Sequence, residues 1–294
     1  MRILLIGYEG YVGSGLFRYL SNKNEVVGWG RKDNILNLKA HTLKDLQISA
    51  VINCGVIMDR VSTNFVAESP SDRVNVIGMR TLISALKGSE IKLIHISTKD
   101  VFGNVYFKSD VEEDVDEFTP HFLIDDSQPF SPETIYGKTK LMAEYIAESH
   151  PLTTVIRLSS CYTDFDHDRA HWIPNIIKSL LLKNPVTVTN KGKQVRDILH
   201  VNDLGRLIIN IIESEEIGEK INVGGGPDNV FSLLQIIKMV DPNAKIIESE
   251  GDDYGFAFNN RLVTELFKWN PKILFKENLS VLKGNLIKRE KAIS

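Results

Sequence analysis

An apolar run, Arg2-Ile3-Leu4-Leu5-Ile6, breaks into three glycines spaced three apart, Gly7, Gly10 and Gly13, and then into a helical pattern reaching about Leu20. No other feature restricts the fold as tightly. A continuous apolar run of this length suits a parallel strand buried on both faces. Glycine lets the chain turn sharply at the strand's end and lets another backbone or a pyrophosphate approach closely. The helix that follows then aims unpaired N–H groups at the bound anion. Glu25-Val26-Val27-Gly28-Trp29 supplies a second strand, so the chain opens with one βαβ unit of the right length. Strands and helices continue to alternate to the strand Thr153–Leu158, the pattern of a doubly wound parallel α/β sheet.

Composition narrows the class. The chain has 294 residues, 43% of them hydrophobic, enough for a substantial core or for one large and one small lobe. A net charge of −3 carries no basic footprint for nucleic acid. Cys54 and Cys161 fall in apolar stretches and read as reduced thiols of a cytoplasmic protein. No stretch reads as a membrane span, no signal-like segment precedes the first strand, and no Cys/His spacing suggests a metal.

A second motif carries chemistry. Residues 133–149 read as a helix, with Ile135, Leu141, Met142, Tyr145 and Ile146 at roughly helical spacing. Tyr136 and Lys140 are four apart and share one helix face. A tyrosine titrates near pH ~10, too high for a useful base. The lysine charge is expected to favour the phenolate and draw that pKa toward the working range.

Together these motifs resemble the extended short-chain dehydrogenases/reductases, the class of nucleotide-sugar epimerases, dehydratases and ketoreductases. Ordered matches follow along the chain: Val51–Gly55, Val74–Gly78, Ile94–Gly103, Gln194–Asp203 and Ile221–Gly225. The resemblance implies a Rossmann domain over residues 1–157, to which about 195–225 returns, and a smaller, mainly substrate-binding lobe over 158–294. It implies a catalytic triad of Thr98, Tyr136 and Lys140. The hydroxyl is assigned to Thr98 rather than Ser97 because it lies three residues before Val101. Cofactor contacts would come from Gly7, Gly10, Tyr11, Val12 and Gly13 in the turn, from Cys54 and Gly55, from Asn75, and from Tyr136 and Lys140. Asn37-Leu38 matches the place where members set Asp and an apolar residue against the adenine. Substrate contacts would be Asp100, Ser160, His171, Trp172 and Arg196. Two departures stand out: Ser160 replaces the usual Asn, and no arginine lies in Glu250–Asp253, although Arg261 follows.

The position where members place an acid for the NAD ribose falls on Gly30, with Arg31 and Lys32 next. Without a carboxylate there, and with Arg31 able to hold a 2′-phosphate, NADP is the expected cofactor, with NAD possible. Dehydratases of this class follow the Thr with Asp-Glu; here it is followed by Lys99-Asp100. The resemblance is therefore to 4-ketoreductases such as dTDP-4-dehydrorhamnose reductase. The expectation is an NADP-dependent 4-ketoreductase acting on a nucleotide sugar. The alternatives are an epimerase with tightly bound NAD(P), and a non-catalytic NADP-sensing regulator. A homodimer through a four-helix interface is expected. The 37 residues between Thr98 and Tyr136 exceed what the resemblance implies, and an acidic insertion at 105–126, broken by Phe107, Phe118, Phe122 and Leu123, is either a solvated loop or a lid.

Overall fold

The computed structural model describes residues 1–103, 123–165, 171–251 and 255–293. Its strands, in chain order, are β1 (Arg2–Ile6), β2 (Glu25–Trp29), β3 (Ala50–Asn53), β4 (Lys92–Thr98), β5 (Thr153–Leu158), β6 (Ser160–Tyr162), β7 (Val186–Thr189), β8 (Val195–His200), β9 (Lys220–Val223), β10 (Val230–Ser232) and β11 (Ile246–Ser249). Its helices are α1 (Tyr11–Ser21), α2 (Ala40–Asp45), α3 (Gly78–Leu86), α4 (Ile135–Ala147), α5 (Trp172–Leu181), α6 (Val201–Glu213), α7 (Leu233–Val240), α8 (Arg261–Phe267) and α9 (Phe275–Ile293).

The main sheet is parallel, in the order β2-β1-β3-β4-β5-β9. Successive side chains of a strand leave on opposite faces. Ile3 and Leu5 of β1 accordingly join a core with α1, α6 and α8, through Leu16, Leu204 and Val263. Leu4 and Ile6 join a second core with α2 and α3, through Leu43, Met79 and Leu82. Each fully buried Leu or Ile contributes about 1.5–3 kcal/mol, so two-sided burial makes β1 the anchor of the fold. The strand order reverses between β1 and β3, and the carboxyl ends of these two strands open the crevice where doubly wound sheets place their ligands.

A smaller sheet, β10-β8-β6, packs under α5, α7 and α9 around Tyr162, Ile198, Phe231 and Phe275. The chain then crosses back: α6 lies against α1, and β9 closes the edge of the large sheet. Of the acidic insertion, residues 104–122 lie outside the described residues. Its end is docked: Ile124 bridges Phe258 and is buried with Val101, Phe102 and Phe256, while Leu123 is exposed.

Candidate active site

The glycine turn is built by close approach. Gly7 has φ +78°, and a Cβ there would lie 2.7 Å from the Gly55 nitrogen. A Cβ on Gly13 would lie 2.1 Å from the Gly7 carbonyl oxygen. The ends of β1, β3 and α1 therefore meet with no side chain between them. Gly10 caps α1 and offers no side-chain acceptor to its first N–H groups. Those orphan donors, the cleared backbone and the positive end of the helix fit the pyrophosphate of a dinucleotide. Tyr11 turns away, its ring stacked 4.1 Å from that of His171 and its hydroxyl accepting from the Thr163 N–H at 3.2 Å. Val12 begins the same helix.

Helix α4 brings Tyr136 to the end of β4. Thr134 caps it by accepting from the Gly137 N–H at 3.2 Å. A Cβ on Gly137 would lie 2.4 Å from the Asp100 carbonyl, so glycine lets the helix start against the 98–102 turn. The first turn of α4 also leans on the loop after β3: the Ile135 and Tyr136 N–H groups donate to the carbonyls of Ser62 and Asp59. Asn75, in a π-helical segment before α3, ties this loop down. Its amide accepts from the Ile57 N–H and donates to the Ile57 carbonyl and the Thr139 hydroxyl, each at 2.9 Å.

Thr98, Asp100 and Tyr136 come together, and Arg60, which the sequence did not single out, joins them. Thr98 and Tyr136 are hydrogen-bonded, and Thr98 Oγ1 donates to Asp100 Oδ2 at 3.3 Å. Arg60 pairs with Asp100 Oδ2 at 3.0 Å, and Lys99 with Asp100 Oδ1 at 3.1 Å. The Arg60 guanidinium also lies 5.1 Å from the Tyr136 ring centroid. Burial works against the Asp100 charge, but Lys99 and Arg60 outweigh it and hold the carboxyl below its ordinary range. Ser97 points to the other side of β4, its hydroxyl donating to Glu144.

The expected effect of Lys140 on Tyr136 is not what the geometry gives. Burial pushes the phenol up to about 12, Asp100 adds to the rise, and Arg60 and Thr98 oppose it. Lys140 lies one turn on and points elsewhere: Nζ donates to the Ile96 carbonyl at 2.6 Å and lies 3.1 Å from His95 Nε2. Burial lowers Lys140 to about 8, with Glu144 and Cys54 partly restoring its charge. Burial and then Lys140 hold His95 well below its usual value. Burial pushes the Cys54 thiol up to about 12, so it is no ready nucleophile. Beneath this group Glu144 and Arg157 form a buried pair at 3.0 Å, with Arg157 stacked on the Phe130 and Phe102 rings.

The expected substrate residues line up from the other wall. Tyr11 stacks on His171, His171 stacks 6.3 Å from Trp172, and the Arg196 guanidinium lies 5.8 Å from the Trp172 ring. Burial holds His171 neutral, down to about 3, with the Arg60 charge adding to the effect. Arg196 donates to its neighbour's carbonyl, Val195 O, at 2.8 Å. Ser160 opens β6. Arg261 stands apart and exposed, 3.6 Å from Glu265.

At the far end of the crevice the structure corrects one premise. Two carboxylates do stand at the end of β2. Glu9 Oε2 accepts from the Arg31 N–H at 3.0 Å, and Asp33 Oδ2 accepts from the Gly30 N–H at 2.7 Å. Arg31, Lys32 and Asn37 have exposed side chains, and Leu38 is part of the core. Reading the position of Gly30 alone missed both acids, because one of them comes from the glycine turn itself.

A doubly wound sheet with a glycine turn at its switch point, and Thr98 and Tyr136 gathered at the end of β4, sets the frame for comparison with known proteins. The model of the NAD dependent epimerase/dehydratase family matches residues 3–224. The chain belongs to that family, within the extended short-chain dehydrogenases/reductases, and is an enzyme. Among similar curated proteins, the low-salt glycan biosynthesis protein Agl12 of Haloferax volcanii is 25% identical, covering 95% of this chain and 96% of its own. A dTDP-glucose 4,6-dehydratase of Escherichia coli is 22% identical over 95% and 91%. Among solved structures, the UDP-glucuronic acid 4-epimerase of Bacillus cereus, in complex with UDP-glucuronic acid and NAD, superposes with a TM-score of 0.82. It is 22% identical and covers 98% of this chain and 100% of its own. The dTDP-glucose 4,6-dehydratase of Bacillus anthracis, in complex with NAD, gives 0.79 at 23% identity over 99% and 98%.

Proposed function

We propose that this chain is a nucleotide-sugar 4-epimerase that keeps a nicotinamide dinucleotide bound through turnover. One observation carries the reading. Among the described residues the cluster at the end of β4 has one proton-carrying phenol, Tyr136, and the carboxyl beside it is pinned as an anion between Lys99 and Arg60. Water elimination calls for an acid to protonate the departing hydroxyl. Lys99 stands where the dehydratases carry the first of their two acids, and Asp100 is held ionised. Redox at one alcohol carbon needs neither. Net ketoreduction, the first expectation from sequence, rested on Lys99-Asp100 after Thr98, which suits an epimerase equally, and on the basic Arg31-Lys32 pair, which the carboxylates of Glu9 and Asp33 at the same strand end offset.

A bound nicotinamide supplies the hydride acceptor, a positive charge when oxidised and the hydride when reduced. The residues of this chain do the rest. Tyr136 would take the proton of the sugar hydroxyl and later return it, and Thr98 would hold the same oxygen. In the described site the phenol keeps its proton, so proton removal needs a positive charge closer to it than Asp100 is. In this reading Lys140, one turn along the helix, would supply that charge on leaving the Ile96 carbonyl. Arg196, beside Trp172, would bind the diphosphate. The same proposal includes the division at about residue 157, with α6 and β9 lent back to the first domain while β8 stays with the smaller sheet. It includes a homodimer through α3 and α4, whose outer faces form a groove lined by Ile83, Ser84, Ile146 and His150, beside the exposed Tyr145.

The test is to incubate the enzyme separately with UDP-glucose, UDP-glucuronic acid and dTDP-glucose and follow the sugar by proton NMR. An epimerase forms the C4 isomer of one of them without added cofactor. Net consumption of added reduced cofactor with a reduced sugar, or loss of water to a deoxygenated keto sugar without net cofactor use, would contradict the reading.

A further inference from the structure

We propose that Glu9 recognises the adenosine ribose of the cofactor and selects NAD over NADP. The proposal rests on the dinucleotide reading above. A Cβ built on Gly30 would lie 2.7 Å from the Glu9 carboxyl carbon. The carboxylate of Glu9 thus lies over the place a side chain at the end of β2 would fill. Gly30 leaves room, and the acid arrives from the glycine turn instead. Its Oε2 is fixed by the Arg31 N–H at 3.0 Å. A carboxylate has about four acceptor positions, so one held amide leaves it able to accept from a ribose hydroxyl. The turn that carries Glu9 begins at Gly7, against β3, and ends at the N-terminus of α1. Glu9 therefore bridges the pyrophosphate seat and the end of β2, the span that an adenosine ribose must occupy. A 2′-phosphate would face this carboxylate and that of Asp33, which accepts from the Gly30 N–H at 2.7 Å. Like charges at such range oppose binding. Arg31 contributes its backbone N–H to this arrangement, while its side chain and that of Lys32 are exposed.

The experiment measures dissociation constants of NADH and NADPH by titration of the full chain, without sugar. The wild type should bind NADH roughly tenfold or more tightly than NADPH, about the worth of a hydrogen bond to a charged group. Glu9→Gln keeps the shape and removes the charge, and should shrink that ratio by about the same factor, chiefly by tightening NADPH. Glu9→Ala should weaken NADH and reduce the preference to what Asp33 alone sustains; a thermal melt separates this from misfolding, and the Gln variant decides the matter if the Ala variant is unstable. The dinucleotide released from the purified chain by acid should be NAD or NADH by mass. Equal binding of the two by the wild type, an unchanged ratio in Glu9→Gln, or released NADP overturns the proposal. Binding of neither dinucleotide overturns it together with the nicotinamide reading. Selective NADH binding without epimerisation upholds it and leaves only the reaction to be revised.

Discussion

At the scale of single residues, the site depends on what burial does to charge. Tyr136 keeps its proton because it is buried beside Asp100, and Asp100 keeps its negative charge because Lys99 and Arg60 flank it. Tyr136→Phe should therefore leave dinucleotide affinity and the melting temperature close to wild type while turnover falls by ~10²–10⁴. Unchanged turnover would remove the phenol from the mechanism and pass the proton transfer to another group. Asp197 is a second case. Fully buried in β8, it accepts from the Gly225 and Phe258 N–H groups, yet burial raises it to about 7. The folded chain thus binds this proton more tightly than the unfolded one. Its contribution to stability is complete in acid, below the ordinary carboxylate pKa, and is lost as the pH climbs toward about 7. The melting-temperature advantage of the wild type over Asp197→Asn should shrink steadily from pH ~5 to pH ~8. A constant difference across that range would mean that Asp197 is ionised throughout.

At the scale of elements, α4 does two jobs, and only one was legible in the sequence. The Tyr136 to Lys140 spacing and the apolar positions marked the helix and its reactive face. The spacing did not say where Lys140 points, because Ile96 and His95 come from β4 and only the packed sheet brings them within reach. Arg60 was equally hidden: it sits in the irregular stretch after β3, where no period marks a residue. Glu144, four residues beyond Lys140 on the same face, was readable as a neighbour, but its partner Arg157 comes from β5. That buried pair clamps α4 to the sheet. Arg157→Met alone strands a buried carboxylate and should cost about 3–5 kcal/mol. In a chain of this size that is a fall in melting temperature on the order of 10 °C. The double variant Glu144→Leu, Arg157→Met should recover most of it. If the double variant melts as low as the single one, the pair's hydrogen bonds to Ser97 and Asp126 matter more than its charge balance.

At the scale of the whole molecule, the doubly wound sheet was legible because its signals are local: an apolar run, three glycines and the next strand lie within the first 30 residues. The small sheet was not, since β6, β8 and β10 are short and pair across large sequence separations. The two carboxylates at the end of β2 were missed for a similar reason. Glu9 and Gly30 are 21 residues apart in sequence and meet only once β1 and β2 lie side by side. The large sheet fixes one face of the crevice and the row Tyr11–His171–Trp172 the other, and a sugar held between them would be oxidised and re-reduced by one resident cofactor. The most direct measurement uses the accepted nucleotide sugar carrying deuterium at C4, with an excess of unlabelled NADH in solution. The C4 epimer should form with the deuterium still at C4 and no loss of NADH. Loss of the deuterium to the soluble cofactor pool, or consumption of NADH one for one with product, would contradict it.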